Sequence, residues 1–359
     1  MTMPLFSQES PILLDDLKAI AHEKSVPWAM LRDKTVLVTG ATGLIGGLLV
    51  KAILYANNVH QNRTRVIALV RDKERACRTF SAYSDCSELQ YLVGDILTPL
   101  AIEGPVDYIL HAASVTQSKL FVQAPVETIR TTLWGTDNVL RFAQEHSVAS
   151  MVYLSTMEVY GAVSKEGAVS EVDIGYVDPF QVRSSYPKSK QAAETLCCAY
   201  HSQYNVPVKT ARLTLTFGPG ISPGDNRVFA QFCASVRRGE DIVLHTLGDT
   251  ERDYLYTADA ITALLIILLR GQNGEAYNVA NSATYISILD MARLVARECA
   301  QDKIKVITNA PKNIEKLGYA PTVKIGLDTK KLNELGWYAG TDLKTMYRNL
   351  LIYINENAS

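Results

Sequence analysis

Residues Thr35 to Thr39 (TVLVT) form a short apolar and β-branched run that leads directly into Gly40-Ala41-Thr42-Gly43-Leu44-Ile45-Gly46. This junction constrains the fold more than any other feature of the chain. A buried-type strand that turns through G-x-x-G-x-x-G into a helix opens a βαβ unit. One glycine permits the tight turn, one lets the backbone approach a pyrophosphate, and one lets the helix pack close to the strand. The amides at the helix N-terminus then face the phosphates. A lone glycine pattern is weak, but the strand before it and the helix after it supply the confirming context. A dinucleotide is therefore expected on Gly40, Thr42, Gly43, Leu44, Ile45 and Gly46. The alternative is a glycine-rich turn with no ligand.

The pattern that follows fits this start. Further apolar strands are expected at Val66–Val70, Leu89–Val93, Tyr108–His111, Met151–Ser155 and Val208–Leu213. Helical stretches separate most of them, including Leu44–Tyr55, Thr131–His146 and Lys190–Tyr204. Continuous apolar strands alternating with helices imply a parallel sheet covered on both faces. The expected fold is α/β, a Rossmann-type doubly wound parallel sheet with a smaller mixed α/β substrate lobe. From about Phe217 the pattern is mixed, with helices at Asn226–Arg238, Thr257–Arg270 and Ile288–Ala300. Short strands at Ala276–Val279 and Lys305–Ile307 lie between them. The expected organisation is an N-terminal helical extension (1–34), an NAD(P)-binding Rossmann domain (35–215) and a substrate-binding lobe (216–359) partly interleaved with it. In the extension, Ser10-Pro11 marks a helix start, and Leu13, Leu14, Leu17 and Ile20 follow at helical spacing. This reads as a packing or dimer-contact arm, with a partner-binding arm as the alternative.

Composition narrows the function. The chain has 359 residues, and 36 Lys+Arg against 37 Asp+Glu leave a net charge of −1. Such a chain is not built to coat nucleic acid or an anionic membrane. The six cysteines are scattered and form no C-x-x-C pair, so neither a disulfide scaffold nor a zinc site is expected. His22, His60, His146, His201 and His245 have no metal-like spacing and read as structural or surface residues. No basic run followed by an apolar core opens the chain. The greasiest stretch, Ala258–Leu269, is too short to span a bilayer. A soluble cytoplasmic protein with reduced thiols is expected, either an enzyme or a binding protein.

The end of the second strand bears on the cofactor. A carboxylate there bonds the ribose 2′-hydroxyl of NAD, whereas an arginine accepts the 2′-phosphate of NADP. Val70-Arg71 favours NADP, and Asp72 keeps NAD as the alternative. Asp95, with Ile96 beside it after the third strand, is a candidate acceptor for the adenine amino group or else a turn cap.

Tyr186-Pro187-Lys188-Ser189-Lys190 places a phenol and an ammonium four residues apart on one helix face. A nearby ammonium lowers a phenol's pKa, which suits Tyr186 to acid–base work near neutral pH. Lys190 is also positioned to hold a nicotinamide ribose. The pair gains specificity because a strand ending in Ser155-Thr156 precedes it.

With these residues the chain resembles the extended short-chain dehydrogenase/reductase family, and within it the nucleotide-sugar epimerases and dehydratases. The resemblance runs from about Lys34 to Ile354. It includes the glycine turn, His111-Ala112-Ala113, Ser155 to Gly161, Tyr186 with Lys190, Arg212 with Gly218-Pro219, Arg252-Asp253-Tyr254, Tyr277-Asn278-Val279 and Asp328 to Trp337. It implies that Ala112 and Ala113 also line the cofactor. It further implies that Tyr186 takes the proton of a sugar 4-hydroxyl while the nicotinamide takes the carbon-4 hydride, and that Thr156 or Ser155 bonds the developing 4-keto oxygen. Family dehydratases commonly carry Thr-Asp-Glu after that strand; this chain has Thr156-Met157-Glu158. A thioether cannot donate a proton, which argues against dehydration of that kind, while Glu158 hints at chemistry near carbon 5 or else is a structural carboxylate. Epimerisation leads among the implied reactions, with decarboxylation or dehydration second. An NADPH-dependent keto-sugar reductase and a non-catalytic NADP sensor are the remaining alternatives. Arg252 is a candidate clamp on the substrate pyrophosphate; its alternative is an ion pair with Asp253 or Asp259. Ser155, Arg212 and Asn226 complete the expected substrate set. A homodimer, through the helix bearing Tyr186 and the helix around Thr131–His146, is implied by the resemblance alone.

Overall fold

The computed structural model describes residue 6 and residues 8–222, 224–309 and 322–357. The parts of the N-terminal extension at 1–5 and 7, and of the C-terminal lobe at 223, 310–321 and 358–359, lie outside them. The chain opens with α1 (Pro11–Ala21), then β1 (Thr35–Thr39), α2 (Leu44–His60), β2 (Arg65–Val70), α3 (Lys73–Thr79), β3 (Leu89–Val93) and β4 (Tyr108–His111). It continues through α4 (Ser118–Gln123), α5 (Pro125–Glu145), β5 (Ser150–Thr156), α6 (Ser185–Tyr204) and β6 (Val208–Leu213). The remainder is β7 (Leu215–Phe217), α7 (Val228–Arg238), β8 (Ile242–Leu244), β9 (Glu251–Tyr256), α8 (Thr257–Arg270), β10 (Ala276–Val279), β11 (Asn281–Ser287), α9 (Ile288–Ala300), β12 (Val306–Thr308), β13 (Lys324–Ile325), α10 (Lys330–Asn333) and α11 (Leu343–Glu356).

The main sheet has seven parallel strands in the order β10-β6-β5-β4-β1-β2-β3. β1 pairs with β2 on one side (Val38 opposite Ala68) and with β4 on the other (Val38 opposite Leu110). The chain therefore runs outward from β1 to β3 and then returns to the far side of β1. At such a reversal the connections leave in opposite directions and open a crevice at the carboxyl ends of the strands. Strand alternation divides the core. Val36, Val38, Ala68 and Leu110 pack on one face with α2 and α8 residues such as Leu49, Ile53, Leu264 and Ile267. Leu37, Ile67, Ile109 and Met151 pack on the other with Val139 and Leu140 of α5 and Ala193 of α6.

A second lobe is built on β9, which pairs with β7, β11 and β13. Phe217, Phe229, Tyr254, Met291 and Tyr347 form its core between this sheet and α7, α9 and α11. The two lobes share chain: α8 returns beneath the main sheet, and β10 supplies its seventh strand. Several element boundaries differ from the sequence expectation. α6 starts at Ser185 rather than Lys190, which puts Tyr186 in its first turn. α5 starts at Pro125, α2 extends to His60, and α7 starts at Val228, leaving Asn226 and Arg227 in the preceding loop. No helix among the described residues is long and apolar enough to cross a membrane.

α1 forms where the Ser10 and Pro11 signals place it, with Ser10 Oγ accepting from the Leu13 amide at 3.4 Å. Leu13, Leu17 and Ile20 are buried against the main core, and burial of each stabilises the docked arm by roughly 1.5–3 kcal/mol. The inner face also carries Asp16, whose carboxyl oxygens accept from Tyr256 Oη at 2.9 and 2.8 Å. Burial raises the Asp16 carboxyl to about 7. Between about pH 4 and pH 7 the folded chain keeps this proton while the unfolded chain releases it. Stability therefore falls as pH rises through that window, with a slope approaching about 1.4 kcal/mol per pH unit. Urea unfolding across this range is expected to show the slope for the native chain and a flatter profile for Asp16→Asn.

Candidate active site

The glycine turn packs tightly against the return strand. Gly40 has φ +65°, and a Cβ there would lie 2.7 Å from the Ala113 amide nitrogen. A Cβ on Gly46 would overlap the Gly40 carbonyl. The facing backbone is held by Thr39, whose Oγ1 lies 2.7 Å from His111 Nδ1 and accepts from the Ala113 amide at 3.1 Å. Burial pushes the His111 imidazole down to about 3, so it stays neutral and serves as a strut between Thr39 and Thr136.

A cleft of about 600 Å³ opens above this turn. Its lining includes Gly40, Thr42, Gly43, Leu44, Ile45, Gly46, Arg71, Asp95, Ile96, Ala112 and Ala113 at one end. Thr156, Met157, Glu158, Tyr186, Lys190 and Arg252 line the other. Arg75 also lines the first end, and its Nη2 donates to the Thr42 carbonyl at 3.3 Å. Asp72 does not line the cleft; its carboxylate accepts from the Arg75 amide and caps α3. Asp95 accepts from the Leu97 amide at 2.9 Å, so it is a turn cap that also faces the cleft.

At the other end β5 delivers Thr156 and a short 3-10 helix (Met157–Tyr160) carries Glu158. The Tyr186 ring lies parallel to Phe121 of α4, centroid to centroid 4.1 Å at 3°. The Tyr186 phenol is pushed above its ordinary value, chiefly by burial and then by the Glu158 charge, with Thr156 and Arg183 acting against both. The expectation of a lowered phenol is thus reversed in this structure. Lys190 Nζ sits 6.0 Å from the Tyr186 ring centre and donates to the Leu154 carbonyl at 2.7 Å. Burial brings the ammonium itself down to about 8. Desolvation is the largest influence on both groups.

Glu158 is not free. Arg183 Nη1 and Nη2 donate to its two carboxylate oxygens at 2.7 and 3.2 Å. Met157 is buried, with its sulfur 3.2 Å from Thr214 Oγ1. Arg252 makes no ion pair with Asp253 or Asp259, and its buried Nε has no partner among the described residues. Asp253 is instead tied to the Leu327 amide.

Three expected substrate residues are placed differently. Arg212 lies outside the cleft. Its Nε and Nη2 donate to Glu194, with the closest approach at 2.7 Å, and its Nη1 donates to Tyr160 Oη at 3.1 Å and the Glu171 carbonyl at 2.7 Å. Ser155 reaches the cleft floor, but its hydroxyl donates to Glu194 Oε1 at 2.5 Å. Ser155 and Arg212 are register partners on adjacent strands, so both turn toward α6. Asn226 does not line the cleft; Arg227 does, forked onto Asp225.

The residues missed from the sequence are Phe121, Arg183, Arg75 and Glu194. Glu194 was legible, since it continues the Tyr186, Lys190 spacing along one face of α6. Arg183 carried no periodic signal, because its partner lies 25 residues away.

The model of the NAD dependent epimerase/dehydratase family matches residues 36–280. UDP-glucuronic acid decarboxylase 6 of Arabidopsis thaliana is 30% identical over 302 residues, covering 81% of this chain and 85% of the relative. The dTDP-glucose 4,6-dehydratase of Streptomyces niveus is 27% identical over 311 residues, covering 84% and 87%. The crystal structure of UDP-glucuronic acid 4-epimerase from Bacillus cereus in complex with NAD shares the fold, with a TM-score of 0.72 at 21% identity over 90% of this chain and 100% of that one.

Proposed function

The chain belongs to the NAD dependent epimerase/dehydratase family, and from that premise we propose that it converts a nucleotide sugar through a transient 4-keto intermediate with no net redox change. The observation that carries this reading is the convergence of Thr156, Tyr186 and Lys190 in one cleft with the dinucleotide turn. When bound, the cofactor supplies hydride exchange at carbon 4. Tyr186 takes and returns the 4-hydroxyl proton, and the Thr156 hydroxyl donates to the developing 4-keto oxygen. Lys190 gains ribose hydroxyls as partners beside its carbonyl contact. Arg252, with an unpartnered Nε, is suited to the substrate pyrophosphate.

Epimerisation at carbon 4 is the leading reaction. Glu158 has both oxygens engaged by Arg183 and Met157 has no proton to give, so Tyr186 and Thr156 are the groups open to the reacting carbon. Decarboxylation is the second reading, favoured by the identity with UDP-glucuronic acid decarboxylases. There the 4-ketone makes the carboxylate of a hexuronate a β-keto acid. The bond from carbon 5 to the carboxylate breaks, carbon dioxide leaves, and the enolate is reprotonated at carbon 5. Incubation with UDP-glucose and UDP-glucuronate in deuterated water, read by NMR, separates these outcomes. A 4-epimer without deuterium at carbon 5 supports the first. A pentose nucleotide with deuterium there supports the second. Stoichiometric consumption of NADPH overturns the redox-neutral reading.

The cofactor we propose is NADP. Arg71 and Arg75 line the adenosine end, and Asp72 is spent on the α3 cap. Two guanidinium groups suit a 2′-phosphate. Arg71→Ala with Arg75→Ala is expected to weaken NADP+ binding by about 100-fold, at about 1.4 kcal/mol per arginine, and NAD+ binding far less. Equilibrium titration of both cofactors checks this.

A further inference from the structure

Arg183 occupies the short turn just before α6 and touches two working parts of the site at once. Its two terminal nitrogens fork onto Glu158. Its guanidinium carbon lies 5.6 Å from the Phe121 ring centre, and Phe121 in turn stacks face to face on Tyr186. Ser185, two residues further on, donates its hydroxyl to the Phe121 carbonyl at 2.8 Å, which ties the same segments together. Arg183 is not itself part of the cleft lining, whereas Glu158 and Tyr186 are.

This arrangement answers an electrostatic difficulty. Tyr186 must part with its proton to act as base, yet it is buried and a carboxylate lies beside it. An uncompensated anion next to a phenol opposes formation of a second anion. From this geometry we infer that Arg183 is a positioning residue, which neutralises Glu158 and so permits a carboxylate and a tyrosine base to share one pocket. The inference rests on the reading of Tyr186 as the base. The charged and titratable groups acting on Tyr186 are Glu158 from the 3-10 helix after β5, Arg183 from the turn, and Lys190 and Tyr153 from α6 and β5. The element packed on its ring face, α4, presents the uncharged Phe121.

The test is a charge cycle. In Arg183→Gln the acid limb of the kcat profile is expected to move up by about one pH unit, with kcat at neutral pH about tenfold lower and KM little changed. Glu158→Gln is expected to move the limb the other way. Arg183→Gln/Glu158→Gln is expected to return toward the native position, and Arg183→Lys, which keeps the charge, to stay near it. The same series is read without turnover, by NMR titration of protein carrying 13C-labelled tyrosine with NADP+ bound. The Tyr186 signal is assigned through Tyr186→Phe. If no nucleotide sugar reacts, the functional reading fails while the titration still tests the pair. A Tyr186 titration unmoved in Arg183→Gln and in Glu158→Gln overturns the inference. So does a double variant as displaced as Arg183→Gln alone. Should Arg183→Gln not fold, Glu158→Gln decides by itself, because an unshifted profile there also overturns the inference.

Discussion

Tyr186→Phe is expected to lower kcat by about 10²–10⁴-fold, the range over which a positioned proton-transfer group contributes. The substitution removes only the hydroxyl. The ring remains stacked on Phe121, and Lys190 keeps its contact with the Leu154 carbonyl. Cofactor affinity and unfolding free energy are therefore expected to stay close to native. The measurement is steady-state turnover on whichever nucleotide sugar reacts, beside a cofactor titration of the same preparation. Full turnover in Tyr186→Phe would remove the proposed acid–base chemistry. A drop in turnover matched by loss of cofactor binding would instead assign the residue to the cofactor site.

The second large effect concerns stability. Arg212→Met is expected to destabilise the fold by about 3–5 kcal/mol, the usual result when one partner of a buried ion pair is removed. Arg212 is 7% exposed, and Glu194 is forked onto it from α6. Without the guanidinium, Glu194 is left as a largely buried anion, and Tyr160 Oη and the Glu171 carbonyl each lose a donor. Urea unfolding measures the loss. Arg212→Met/Glu194→Met is expected to be less destabilised than Arg212→Met alone, because no uncompensated charge remains. A double variant as unstable as the single one would show that Arg212 acts through packing or through Tyr160.

These two outcomes also mark what could be read from residues alone. Tyr186 and Lys190 were legible because both lie on one helix at a fixed spacing. The glycine turn was legible because its meaning depends on adjacent residues. Arg212 was misplaced for the opposite reason. It stands at the end of a strand that borders the cleft, where Leu213 does line the site. Strand alternation turns Arg212 instead toward α6, and only the register of β5, β6 and β10 brings Ser155, Arg212 and Asn278 into one row. Asp72 shows the same limit at shorter range. One residue decides between a ribose contact and a helix cap, and that choice depends on where α3 begins. Arg183 was invisible because the spacing of a loop residue to its partner follows no period.

The placement of β10 carries a consequence for how the chain can be divided. The seventh strand of the nucleotide-binding sheet arrives only at residues 276–279, after the whole of β9 and α8. A fragment ending near residue 215 would expose β6 as a sheet edge, with the Thr210 amide stripped of its Glu275 carbonyl partner and no α8 beneath it. Exposed edges of this kind recruit other chains. The nucleotide-binding half is thus a poor candidate for separate expression, and no single cut preserves both lobes, because one placed after Val279 parts β7, α7 and β9 from β11, α9 and α11. During synthesis the same edge stays open until the chain has passed that point, so the sheet closes late and the two lobes are committed to folding as one unit.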